Sequence, residues 1–306
     1  MIDGVERVGV MKVAATALTP RLLEDSQALA GLATLLVVSK SVFSDLVIMR
    51  ERSNAMTIQA ELLWAFLPPR TIGTGQVTSS AVLEPAYDIG GDAFDHNLVD
   101  DTLYLTLLDA MGHDLASGGA SAAALAACRF IRRTGGTLRD AATTVDRTLG
   151  QWIPGRLMTA VLAHLDTTSG WFTWINCGHP PPLLIRDGHV LPHVLEGVPQ
   201  LPLGLGFHTD TPPVEYRVRL QPGDRILLYT DGVTEARAPD GDLFGEQRLT
   251  DTVIRSMTEG DSAPEALRRI IQNLLHHDEH QIRDDATILL VEWHPTPDAE
   301  AVSGLV

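Results

Sequence analysis

Four times in this chain a short, strongly apolar run meets an aspartate flanked by small residues. Leu107-Leu108 runs into Asp109-Ala110-Met111-Gly112-His113, and Leu227-Leu228-Tyr229-Thr230 runs into Asp231-Gly232-Val233-Thr234-Glu235. Asp284-Asp285 precedes Ala286-Thr287-Ile288-Leu289, and Gly90-Gly91-Asp92 precedes Ala93-Phe94-Asp95. Short apolar runs bounded by turn formers read as buried strands. One Asp-Gly pair after a strand is ordinarily a turn. Recurrence is more demanding, because it asks for a sheet whose strand ends carry acids to one place. Carboxylates about 5 Å apart repel by roughly 3 kcal/mol per pair at an effective dielectric of about 20. Such a cluster persists only with protons or cations, and an all-oxygen donor set suits the hard ions Mg²⁺ and Mn²⁺. No Cys/His spacing points to zinc.

Further strand-like runs lie at 103–108, 158–165, 171–177, 182–185, 214–220, 225–229 and 286–293, with turn signals such as Asp187-Gly188 between them. Helical patterns cover 116–133, closed by Gly135-Gly136, and a stretch opening at Thr137 with Asp140 three residues on, a capping-box spacing. Two more cover 247–257 and 264–277. Strands that alternate irregularly with paired helices predict an α+β sandwich rather than a βα barrel.

Residues 21–66 contain almost no Gly or Pro, and Leu22, Leu29, Leu32, Leu36 and Phe43 recur at helical spacing, followed by Met56, Ala60, Leu63 and Leu67. Pro68 and Pro69 end the pattern. These helices either pack on the following domain or serve dimerisation or signal transmission. The expected organisation is a helical segment over 1–67, one domain over 68–294 and a disordered tail over 295–306.

With 23 Lys+Arg against 39 Asp+Glu, the net charge of −16 repels phosphate backbones, so no nucleic-acid partner is expected. Cys128 and Cys177 stand alone in apolar stretches and read as small buried hydrophobes, in keeping with a reducing cytoplasm. The longest apolar run, 28–38, falls short of the ~20 residues a spanning helix needs, so no membrane association is expected.

Taken in order, the motifs resemble those of the PPM (PP2C-type) protein serine/threonine phosphatases, in the bacterial SpoIIE- and RsbU-like branch. The residues that carry the resemblance are Glu84-Pro85-Ala86 leading to Gly90-Gly91-Asp92-Ala93-Phe94-Asp95, then Asp109-Ala110-Met111-Gly112-His113 and Met158-Thr159-Ala160. Asn176-Cys177-Gly178-His179-Pro180-Pro181-Pro182, Pro202-Leu203-Gly204, Tyr229-Thr230-Asp231-Gly232-Val233-Thr234-Glu235 and Asp284-Asp285-Ala286-Thr287 complete it, over about 68–293.

That resemblance implies an αββα sandwich of two central antiparallel sheets flanked by helices, with an N-terminal helical extension here. It implies two Mn²⁺ or Mg²⁺ ions, with Asp109 bridging them, the Ala110 carbonyl on one, and Asp231 and Asp284 on the other. Asp92 is the additional acid near the metals, and Asp285 is a ligand or a support that the sequence does not separate from Asp284. Catalytic roles fall to Asp92, Asp109, Asp231 and His113, the last either a general acid or a histidine bracing its turn. His179, between Gly178 and Pro180, reads as a structural turn residue. The implied activity is hydrolysis of phosphoserine or phosphothreonine on a regulatory protein, an anti-sigma factor antagonist by resemblance, through a metal-bridged water. Alternatives are a phosphatase fold that only docks a signalling partner, and a hydrolase of small phosphoesters, for which no Gly-rich loop with Lys speaks.

Three departures stand out. Asp114 replaces a glycine common after the Gly-His pair, Ala93 replaces bulkier residues, and no clear phosphate-binding Arg is present; Arg156 and Arg283 are the loose candidates.

Overall fold

The computed structural model describes residues 2–3, 6–7, 9–15, 17–41, 55–85, 90–238, 240–277 and 284–295. The chain divides into two compact units, Met1–Ala55 and Met56–Val306. The first holds a two-residue strand pair, β1 (Ile2–Asp3) with β2 (Glu6–Arg7), and the helix α1 (Pro20–Ser41). Thr19 caps α1 by accepting from the Leu22 N–H at 3.2 Å, and Pro20 occupies the first turn, where no N–H is needed.

The second unit opens with α2 (Ile58–Trp64), capped by Thr57, whose Ala60 and Leu63 are fully buried in the unit's core. For this second apolar set the packed alternative is therefore the one realised. Of the expected 21–66 pattern, residues 42–54 lie outside the described residues, as do Arg283 and residues 296–306 of the tail.

Two antiparallel sheets follow. One has the order β10 (His189–Leu191), β9 (Leu183–Arg186), β12 (Arg225–Tyr229), β13 (Ala286–Trp293), β4 (Val77–Glu84), β3 (Thr71–Gly73). The other runs β11 (Tyr216–Arg219), β8 (Trp171–Cys177), β7 (Met158–Asp166), β6 (Thr102–Ala110), β5 (Ala93–Val99). Side chains alternate across each strand. In β12, Ile226 and Leu228 enter the core shared with the second sheet and with α3 (Leu115–Arg133) and α4 (Leu138–Trp152). Leu227 and Tyr229 enter a separate core under α6 (Gly245–Thr258) and α7 (Ala263–His277). The layers are thus helices, sheet, sheet, helices. Every residue of β13 is buried, as a strand covered on both faces must be.

The sequence-based strands and helices appear within a few residues of their expected limits, and Thr137 and Asp140 form the expected capping box. Asp187-Gly188 makes the β9–β10 hairpin with both residues at positive φ, the signature of a type I′ turn. In the two sheets the strands β3, β4, β5 and β10 escaped the pattern reading. β4 carries Thr78, Ser79 and Ser80 although it is paired on both sides, by β13 and β3, and β5 opens on the acidic motif itself. Cys128 and Cys177 are buried free thiols, both pushed up to about 12 by burial, which keeps them protonated and inert. Among the described residues no helix is long and apolar enough to cross a membrane.

Candidate active site

Antiparallel register brings the acids together. Tyr229 at the end of β12 pairs with Ile288 near the start of β13, so Asp231 and Asp284-Asp285 emerge side by side. In the other sheet Ala93 at the start of β5 pairs with Leu108 near the end of β6, so Asp92 and Asp109-Ala110 share an edge. The β5–β6 pairing continues there through backbone, as the Ala110 N–H donates to Gly91 O at 3.4 Å. Gly91 is obligatory for this approach, because a Cβ would stand 2.2 Å from the Ala110 carbonyl oxygen. Gly232 serves the same purpose in the other sheet, where a Cβ would meet Asp285 O at 2.0 Å. Asp231 itself begins α5 (Asp231–Thr234), a single helical turn where the sequence suggested a plain Asp-Gly turn.

The result is an open cavity of about 440 Å³ lined by Asp109, Ala110, His113, Asp231, Asp284 and Asp285, with Thr159 and Pro202 on its wall. Asp92 does not line it. Asp92 lies 2% exposed behind the wall, where its Oδ2 accepts from Thr230 Oγ1 at 2.7 Å and Thr287 Oγ1 at 2.6 Å. Burial, then the neighbouring charges of Asp109 and Asp285, raises its pKa well above the ordinary range. Asp285 is separated from Asp284 by its partners. The Asp285 carboxylate accepts the backbone N–H groups of Gly90, Gly91 and Asp92 at 2.6–3.0 Å, tying the first motif to the fourth. Asp284 is exposed and, among the described residues, accepts only the Asp285 N–H at 2.9 Å. It is the freer carboxylate of the pair.

Electrostatics mark the cavity. Asp109 is pushed up to about 7, by burial first and then by Asp231, Asp284 and Asp285, with Thr159 opposing. Asp231 is raised by burial, Glu235 and Asp284. Among the described residues no three His, Cys, Asp or Glu side chains close on one point tightly enough to hold an ion as they stand. The donor chemistry nevertheless fits hard divalent cations, because carboxylate and carbonyl oxygens surround an open volume whose charges repel one another until a cation or proton offsets them.

Asp114 has a local explanation. It caps α3, accepting from the Ser117 N–H at 2.9 Å while Ser117 Oγ accepts from the Asp114 N–H, and it pairs with Arg156 at 2.5 Å. Arg156 also donates to Met111 O at 3.2 Å. The departure at 114 thus clamps the 111–114 loop from outside the cavity, and Arg156 is held in that clamp. His113 is exposed on the rim, its backbone packed over Gly90. Asp95, grouped with Asp92 by the sequence, points away from the cavity into an ion cluster with Arg129 and Arg132. Sequence reasoning missed Thr230 and Thr287, the two hydroxyls that hold Asp92. The signal was a Thr within two residues of the acid in both motifs.

The sequence profile of the family described as Stage II sporulation protein E (SpoIIE) matches residues 99–294. The chain belongs to the SpoIIE family. Protein IcfG of Synechocystis sp. (strain ATCC 27184 / PCC 6803 / Kazusa) is 30% identical over 128 residues, 42% of this chain and 19% of IcfG, so the chain spans about a fifth of that relative. Phosphoserine phosphatase RsbU of Bacillus subtilis (strain 168) is 23% identical over 247 residues, 80% of this chain and 71% of RsbU. Among solved structures, the SiaA-PP2C domain of Pseudomonas aeruginosa superposes with a TM-score of 0.63 at 23% identity, over 76% of this chain and 94% of that domain. The two flanked antiparallel sheets are the PP2C phosphatase fold, as the resemblance implied.

Proposed function

We propose that this SpoIIE-family chain is a divalent-metal-dependent phosphatase that removes phosphate from serine or threonine on a regulatory protein, of the anti-sigma factor antagonist kind. The observation that carries the proposal is the cavity where Asp109, Asp231 and Asp284 meet at the ends of three strands, with Asp109 pushed up to about 7 by burial and then by its acidic neighbours. Asp109, Asp231, Asp284 and the Ala110 carbonyl are the groups that would hold the ions. Bound there, two Mn²⁺ or Mg²⁺ ions would supply positive charge to the phosphoryl oxygens and acidify water. Asp285 fixes the Gly90-Gly91-Asp92 backbone, and Thr230 and Thr287 fix the Asp92 carboxyl, so the cavity's rear wall is held before substrate arrives. His113 on the rim is the candidate to deliver a proton to the leaving hydroxyl oxygen.

Purified protein given Mn²⁺ is expected to release phosphate from an aryl phosphate and from a phosphopeptide, to stop with EDTA and to resume with added Mn²⁺. Silence with every divalent metal would overturn the enzyme reading. The open arrangement of the acids favours a second reading, a weakly catalytic docking module for a signalling partner, and the same assay separates the two.

The cytoplasmic setting and the self-association of the N-terminal segment belong to the same proposal. Leu29, Leu32 and Leu36 of α1 are each more than half exposed and lie on one helical face. Light scattering is expected to give a dimer for the full chain; a monomer at micromolar concentration would count against that role.

A further inference from the structure

A second cavity, of about 310 Å³, lies beside the catalytic one and is lined by Asn176, Gly178, His179 and residues 196–200. The two share a thin wall. Gly178 lines one, Pro202 lines the other, and a Cβ on Gly178 would stand 2.9 Å from the Pro202 ring.

The polar groups of this second cavity are unevenly occupied. Asn176 spends its amide on the turn, donating to His179 O and accepting from the His179 N–H, both at 2.8 Å. Gln200 donates to Asn176 O and Val214 O and accepts from the Val214 N–H. His179 is different. It is 6% exposed, and its Nδ1 sits 3.0 Å from Pro180 O, a carbonyl that can only accept, so Nδ1 carries the proton. Nε2 is then a bare acceptor, and it is buried without a hydrogen-bond partner among the described residues. Leaving a buried acceptor without a donor is costly, and a purely structural turn histidine need not bear that cost. Burial holds the imidazole down to about 4, so Nε2 stays an acceptor at neutral pH. Glu196 adds a half-exposed carboxylate to the lining, with Oε1 2.8 Å from His193 Nδ1 and Oε2 left to a further donor. Neither group can donate to an anion; both invite a cationic donor.

Taking the phosphatase reading as its basis, we propose that this cavity is a substrate subsite that receives an arginine or lysine side chain near the phosphorylated residue, with His179 Nε2 and Glu196 as its acceptors. The position follows from the shared wall: a chain with its phosphoresidue in the catalytic cavity passes over the second one.

The test measures binding, so that it does not depend on turnover. Fluorescent peptides carry a non-hydrolysable phosphonate in place of phosphoserine, with Arg, Gln or Glu placed in turn at the three positions on either side. Dissociation constants are read by anisotropy with the full chain and Mn²⁺. At one flanking position Arg is expected to bind about tenfold tighter than Gln, and Glu weaker than both. In E196Q the Arg-to-Gln ratio is expected to fall to threefold or less, and H179F is expected to reduce it too. Ratios within one preparation cancel any loss of folded protein. Equal affinities at every position, a preference for Glu, or a ratio unchanged in E196Q would each overturn the subsite. Failure of the phosphate-release assay would instead overturn the catalytic reading, so the two failures are distinguishable.

Discussion

Asp109→Asn is expected to lower metal-dependent phosphate release by on the order of 10³-fold or more, while making the metal-free protein more stable at pH 8. The two effects share one cause. Asp109 stands at the end of β6, where burial, Asp231, Asp284 and Asp285 lift its pKa from 3.8 to about 7. A carboxyl raised on folding contributes stability that is fully present below its unfolded pKa and is lost as pH rises through its folded pKa. The metal-free native chain should therefore lose stability as pH rises from about 4 to beyond 7, by a few kcal/mol for this group. Asparagine cannot ionise, so the variant's melting temperature should exceed that of the metal-free native protein at pH 8 and converge with it near pH 4. Divalent metal should raise the melting temperature of the native chain, since it binds only the folded state, and should do little for the variant. Retained turnover in the variant, or a native melting temperature indifferent to pH between 4 and 8, would count against the site as drawn.

The fold was legible where pattern and burial agree. β12 and β13 are apolar on both faces because they lie between two cores, and their sequences say so without interruption. β4 was not legible, because Ser79 and Ser80 are buried polar residues whose place is set by register with β13 rather than by hydropathy. Asp109, Asp231 and Asp284 were legible because each adjoins a strand that can be recognised alone. The division of labour between Asp284 and Asp285 was not. It depends on backbone N–H groups of residues 90–92, almost two hundred positions away, that no local pattern displays. Asp114 shows the reverse case. In the loop motif it reads only as a departure from a common glycine, whereas the helix that begins at Leu115 makes it an N-cap.

The same limit applies to Asp92 and Asp95, three residues apart in one motif, and it leads to a second large effect. Asp95→Ala is expected to cost about 3–5 kcal/mol of folding stability. Asp95 is 2% exposed on β5, and its two carboxylate oxygens take Arg129 Nη2 at 2.6 Å and Arg132 Nη1 at 2.9 Å, both from α3. Arg129 also donates to Phe66 O at 2.6 Å, just past α2, so one carboxylate organises the two arginines that hold α3 to the sheet and to the segment after α2. Removing it leaves two guanidinium groups facing each other across a largely dry gap, which is costlier than losing either contact. Arg129→Ala or Arg132→Ala should each cost less, because Asp95 keeps one partner. Urea denaturation monitored by tryptophan fluorescence measures all three. A loss below about 1 kcal/mol for Asp95→Ala would mean that the cluster is solvent-screened like an ordinary surface pair. Because α3 is also capped by Asp114, beside His113, the variant should lose catalysis only in proportion to its unfolded fraction if Asp95 is purely a support. A catalytic loss exceeding that fraction would mean that the arginine cluster also sets the position of the loop at residues 109–113.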